Sequence, residues 1–193
     1  HLAKILKFLK EKKIENVIME ASSHGLKQNR LDGLLFNTAI FTNLSHDHLD
    51  YHKSMKEYLK SKLYLFEKLI KKNGNIISDA TIPQLKRLKD ISLRNKIDMS
   101  VIFNKTKGIN LISHKFLNEK QILEIKFRNK KFQFQLNLIG KIQIKNLLMA
   151  ILAANKSGIK FNKIINNLHK IKPVEGRLEN IGKIKNKSKV ILD

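Results

Sequence analysis

The sequence predicts an α/β fold, a mostly parallel sheet flanked by helices, with a small antiparallel hairpin region attached. Three observations carry this. Short apolar runs alternate with amphipathic helical stretches, which is the pattern of a parallel sheet. The runs end in acids or polar residues, at Glu20 and at Asn43, where ligands of such sheets gather. Between 109 and 138 the periodicity shifts to strict alternation, with Ile122, Glu124 and Lys126 set against Leu123, Ile125 and Phe127. Phe132, Phe134 and Leu136 likewise alternate with Gln133 and Gln135, the signature of an antiparallel hairpin.

The elements follow in order. Leu2, Ile5, Leu6 and Leu9 recur at helical spacing with Lys4, Lys7 and Lys10 between them, an amphipathic helix. Asn16 to Glu20 and Thr38 to Thr42 read as strands. Ser54 to Ile70 is the clearest helix, because Ser54 and Glu57 have capping-box spacing; Asn73-Gly74 is its expected stop. Asn75 to Ser78 is the next strand. Ile82 to Arg94 is a helix with Pro83 in its first turn, and Met99 to Phe103 is a strand. Gly140 to Ser157 is helical with Gly158 as its terminator, and Phe161 to Lys170 is a short helix. Pro173 to Gly176 is a turn ahead of two strands.

The 193 residues suit one domain. The chain opens on His1 inside a helix and stops at Asp193 after an apolar run, so it reads as a fragment. No apolar run approaches the ~20 residues that span a bilayer, so no membrane partner is expected. There is no cysteine, which excludes disulfides and thiolate zinc sites and fits a reducing, cytoplasmic setting. The net charge of +23 raises the question of nucleic acid. The lysines are scattered, however, and Lys, Asn and Ile are together abundant, as in an A/T-rich coding bias. No aromatic-rich RNA-binding motif accompanies them, so drifted composition is the preferred reading.

Three features carry chemistry. Ser45 to His52 packs three histidines and two aspartates into eight residues; this is a metal or catalytic site, or else a solvated polar loop. Glu20-Ala21-Ser22-Ser23-His24-Gly25 suits a ligand-binding turn, or a plain connection in which Ser22 or Ser23 caps a helix. It lacks the Gly-x-Ser-x-Gly elbow of a hydrolase. Lys62 is the third. On a wheel of ~100° per residue it falls in the middle of the stripe formed by Met55, Tyr58, Leu59, Phe66 and Leu69. A lysine there either snorkels outward or meets a partner inside, where burial would lower its pKa and favour a nucleophilic amine.

Met19-Glu-Ala-Ser-Ser-His-Gly-Leu-Lys-Gln-Asn-Arg30, Thr42-Asn-Leu-Ser-His-Asp-His-Leu-Asp-Tyr-His52 and Tyr58-Leu-Lys-Ser-Lys62-Leu together resemble the Mur ligases. Their wording is closest to the tripeptide-forming MurE type. The resemblance spans the chain and is most specific from Val17 to Phe66. It implies the P-loop NTPase-like central domain of a cytoplasmic enzyme of cell-wall peptidoglycan synthesis. Such an enzyme uses ATP and Mg2+ to join an amino acid, diaminopimelate or lysine, to UDP-N-acetylmuramoyl-L-alanyl-D-glutamate through an acyl phosphate. It implies substrate contacts at Ser22, Gln28 and Arg30, magnesium contacts at Glu20 and His48, and a carbamylated catalytic lysine at Lys62. It implies ATP contacts at Asn146, Arg177 and Asp193.

The sequence departs from that family in places. Gly140-Lys-Ile-Gln-Ile-Lys-Asn146 has Gln143 where the family has its first asparagine. No Gly-x-x-Gly-Lys-Thr phosphate loop occurs anywhere. The uridine-binding N-terminal domain and the amino-acid-selecting C-terminal domain of the family are also expected to lie outside this chain. The fragment alone is expected to be inactive, and monomeric. A degenerate, non-catalytic remnant and a basic nucleic-acid-binding module are the alternatives.

Overall fold

In the computed structural model, all residues are described except 1, 46–48, 107, 118, 119, 177, 178, 184–188 and 193. Six strands form one sheet in the order β1 (Phe36–Phe41), β2 (Ile70–Asp79), β3 (Asp98–Ile102), β4 (Gly108–Leu117), β5 (Lys120–Phe127) and β6 (Lys130–Leu136). The first four run parallel, and β4 to β6 form an antiparallel meander. The predicted division between a parallel core and an antiparallel extension is what the chain adopts. A separate two-stranded sheet pairs β7 (Glu179–Lys183) with β8 (Lys189–Leu192).

Helices cover both faces of the large sheet. Along β2, Ile77 faces one core and Ile76 the other, as the twofold periodicity of a strand requires. The Ile77 side is closed by α6 (Lys141–Lys156) and α7 (Phe161–Asn166), through Ile144, Leu148, Ile151, Leu152 and Phe161. The Ile76 side is closed by α2 (Ser23–Lys27), α4 (Met55–Lys68) and α5 (Leu85–Asn95), through Leu26, Phe66, Leu88 and Ile91. The carboxyl-terminal parts of β1, β2 and β3 are buried on both faces, through Ala39 and Phe41, Ile76 to Asp79, and Val101 and Ile102, which is why their apolar residues run together there.

Several local expectations hold for the expected reasons. Ser54 caps α4, its side chain accepting from the Glu57 amide at 3.2 Å. α6 begins after Gly140 at φ 84° and ends before Gly158 at φ 95°. Two expectations do not hold. Asn16 to Glu20 is not a strand; it is irregular backbone with Ile18 99% exposed. An apolar run becomes a strand only when a neighbour supplies its ladder, and among the described residues this segment has none. Asn73-Gly74 does not end a helix. α4 stops at Lys68, capped by Leu69, and Asn73-Gly74 lies inside β2. There Phe36 pairs with Ile70 but Thr38 with Asn75, so the extra residues form a bulge that takes Asn73 to φ 60°. Pro83 is also displaced slightly, lying in the turn before α5 instead of in its first turn.

The N-terminal helix α1 (Leu2–Glu11) forms as predicted, but none of its residues is buried. No helix among the described residues is long and apolar enough to cross a membrane.

Candidate active site

The turn before α2 builds one side of the site. Ser22 has extended backbone and caps the helix, its Oγ accepting from the Gly25 amide at 3.2 Å. Both roles open to Ser22 in the sequence therefore meet in one residue, which caps the helix and also lines a cavity of about 520 Å³. That cavity is lined by Leu2, Glu20, Ser22, Gly25, Arg30 and Leu31. Three of the residues singled out in the sequence, Glu20, Ser22 and Arg30, thus share one concavity. It offers a carboxylate, a hydroxyl and a guanidinium, a set suited to an anionic, hydroxyl-bearing ligand and a cation. Gln28 points to a different neighbour, donating from Nε2 to the Tyr51 hydroxyl at 3.0 Å.

The second side comes from α3 (Leu49–His52) and α4. Lys62 is half-buried. Its Nζ donates to the Asn43 carbonyl at 2.8 Å and lies 5.1 Å from the Tyr58 ring centre and 5.7 Å from that of Phe41. Of these two rings only Tyr58 belongs to the stripe on which the wheel centred Lys62; Phe41 comes from β1. Its ammonium meets a backbone acceptor just past the end of β1, which is a polar partner at the edge of the core.

His52 is fully buried and Ser23 nearly so. A hydrogen bond joins His52 Nε2 and Ser23 Oγ at 2.9 Å, and the His52 ring stacks on Tyr58 with centroids 4.9 Å apart. Among three histidines in one motif, composition could not single out His52 as the core residue. His48 lies outside the described residues, as do Arg177 and Asp193. Among the described residues no group of three or more His, Cys, Asp or Glu side chains is gathered to hold a metal ion.

A third group sits at the carboxyl end of β2 and was missed in the sequence. Asp79 is 1% exposed and its Oδ2 is 2.6 Å from Lys145 Nζ. Its Oδ1 accepts from the Thr81 amide at 2.8 Å and the Thr81 hydroxyl at 2.7 Å. The signal was present, an acid ending an apolar run as at Glu20, but its partner stands far along the chain. The pair ties α6 to this end of the sheet. Asn146, the next residue, is exposed there.

Burial pushes the Asp79 carboxyl up, but Lys145 and the two Thr81 donors outweigh it and hold it below the ordinary value. A carboxyl lowered on folding stabilises the fold above its unfolded pKa of about 4, and that stability is lost as pH falls through the folded value. We expect Asp79→Asn to cost about 1–2 kcal/mol at neutral pH, Lys145 being partly solvated. The melting gap between wild type and variant should be constant above about pH 5 and shrink below about pH 4. A gap that does not change with pH would show that the charge contributes nothing.

Residues 1–154 match the Mur ligase middle domain. The chain is 36% identical over 178 residues to a UDP-N-acetylmuramoyl-L-alanyl-D-glutamate–2,6-diaminopimelate ligase of Rickettsia montanensis, covering 92% of this chain and 37% of that protein. A ligase of the same name from Zymomonas mobilis is 33% identical over 180 residues, covering 93% of this chain and 37% of that protein. The chain therefore spans little more than a third of these relatives' length. Among solved structures, one of a ligase of that name superposes with a TM-score of 0.75 at 23% identity, covering 86% of this chain and 34% of that one. MurF ligase from Thermotoga maritima in complex with ADP superposes with a TM-score of 0.68 at 16% identity, covering 84% and 36%. With most of its length matched and the fold shared, the chain belongs to the Mur ligase middle domain family.

Proposed function

We propose that this chain is the central domain of an ATP-dependent ligase of the MurE type. The ligase adds diaminopimelate to UDP-N-acetylmuramoyl-L-alanyl-D-glutamate in the cytoplasm. The observation that carries the reading is the shared concavity of Glu20, Ser22 and Arg30. The relatives named for this reaction support it. The activity belongs to the full-length protein, with a phosphate-binding loop and the flanking domains supplied by sequence other than these residues.

In the reaction, a substrate carboxylate oxygen attacks the γ-phosphorus of ATP, forming an acyl phosphate and releasing ADP. The amine of the incoming amino acid then attacks the acyl carbon, loses a proton and expels phosphate. Arg30 binds an anionic group of the nucleotide-sugar peptide through its fork, with Ser22 donating beside it, and Gln28 contacts the same substrate on turning away from Tyr51. Asn146, Arg177 and Asp193 contact ATP. Magnesium is commonly held by one or two carboxylates with waters and substrate phosphates, so the exposed carboxylate of Glu20 is a fitting donor; His48 and a carbamate on Lys62 complete the proposed set. The metal, when bound, neutralises phosphate charge. The Lys62 ammonium first gives up a proton to solvent; the amine then adds to carbon dioxide and loses a second proton, which converts the cation into an anion beside Asn43.

The test uses the full-length protein with the UDP-muramoyl dipeptide. We expect diaminopimelate- and ATP-dependent formation of the tripeptide, followed by product mass and ADP release. No product with either diaminopimelate or lysine would sink the reading.

A further inference from the structure

Ser23 and His52 form a buried polar contact between two segments far apart in sequence. Ser23 opens α2, directly after Ser22 in the turn that lines the concavity. His52 closes α3, the helix that follows residues 46–48. Ser23 is 4% exposed and His52 0%, and 2.9 Å separates Oγ from Nε2. The His52 ring continues the contact, stacked at 17° on Tyr58 of α4. Lys62 lies one turn further along α4 with its Nζ 5.1 Å from the same Tyr58 ring.

Two outer contacts run alongside. Gln28 donates to Tyr51 at 3.0 Å, and Lys27 pairs with Glu57 at 3.4 Å. Both are exposed and contribute little individually. The buried bond differs from them. Both groups are shielded from water, so removing one deprives the other of a buried hydrogen bond. A side-chain pair that is dry and stacked also has few alternative geometries.

We propose that His52 is a positioning residue that acts through Ser23, setting the substrate turn at Ser22 against the α3–α4 segment that carries Lys62. The inference rests on the ligase reading. It specifies which binding step depends most on this contact: the dipeptide, whose proposed contacts flank Ser23, and less so ATP, whose proposed direct contacts at Asn146, Arg177 and Asp193 lie elsewhere and which meets this segment only through the proposed metal.

The experiment is a double-mutant cycle in the full-length protein, with KM for the UDP-muramoyl dipeptide and for ATP measured separately and melting followed throughout. Ser23→Ala and His52→Leu should each raise the dipeptide KM about tenfold, and the double variant no more than about tenfold. The ATP KM should rise clearly less than the dipeptide KM. His52→Gln, whose amide can reach the Nε2 position, should restore most of the dipeptide KM. If His52→Leu does not fold, Ser23→Ala alone decides, through its selective effect on the dipeptide. Multiplicative effects in the double variant, equal rises in both KM values, or lowered melting with unchanged kinetics would each overturn the inference while leaving the ligase reading intact. A wild-type protein that neither binds nor ligates the dipeptide would overturn the ligase reading and this inference with it.

Discussion

Replacing Lys62 with alanine in the full-length protein is expected to lower ATP-dependent ligation by at least about 100-fold, with a small effect on folding. The side chain is half-buried and its ammonium reaches the Asn43 carbonyl at 2.8 Å. Losing that hydrogen bond at the edge of the core costs on the order of 1 kcal/mol. An activity loss far larger than this has to come from the chemistry of the group. Two roles are possible for it. If Lys62 acts only as a cation near Phe41 and Tyr58, Lys62→Arg keeps the charge and should retain activity. If it acts as a carbamate, arginine cannot replace it, and short carboxylic acids such as acetate should partly rescue Lys62→Ala by supplying the missing anion. We expect the second pattern. Near-normal activity of the alanine variant, or full activity of the arginine variant, would refute the carbamate role. Activity is the better readout, because a carbamate is labile under mass spectrometry.

The features legible in the sequence were those set by neighbours a few residues away. The Ser54–Glu57 cap, the alternation of β5 and β6, and the Gly158 terminator depend on local spacing, and each appears where that spacing puts it. Asn16 to Glu20 shows the limit. Its apolar content resembles that of β1, yet β1 has β2 beside it while the earlier segment has no ladder partner among the described residues. Asn73-Gly74 shows another. Its turn chemistry was real, since Asn73 adopts φ 60°, but a bulge within a strand uses the same conformation as a helix stop. The site divided in the same way. Glu20, Ser22 and Arg30 lie within eleven residues of sequence and converge on one cavity. The pairs Asp79–Lys145 and Ser23–His52 are brought together only by the packing of helices on the sheet.

The largest effect on folding is expected at a residue with no role in chemistry. The parallel half of the sheet joins the meander through one short ladder, with Val101 opposite Gly108 and Ile102 opposite Ile109. Ile102 and Ile109 are fully buried in the core beneath α6. Gly108 has φ +136°, and a Cβ there would stand 1.8 Å from the Val101 carbonyl oxygen and 2.8 Å from its carbon. These are backbone atoms of the neighbouring strand, so no rotamer change relieves the contact; the strands must separate. Gly108→Ala therefore combines backbone strain with loss of the ladder and of the packing above it. We expect a cost of at least about 3 kcal/mol, seen as a melting temperature lower by about 5 °C or more, or as insoluble protein. Gly158→Ala is the control. That glycine also has positive φ, at +95°, but nothing lies within 4 Å of its added Cβ, so the substitution should cost only about 1 kcal/mol. If the two variants lose stability equally, conformational strain alone explains both and the close approach of β3 to β4 contributes nothing. If Gly108→Ala falls well below Gly158→Ala, the contact at Val101 is what joins the parallel sheet to its antiparallel extension.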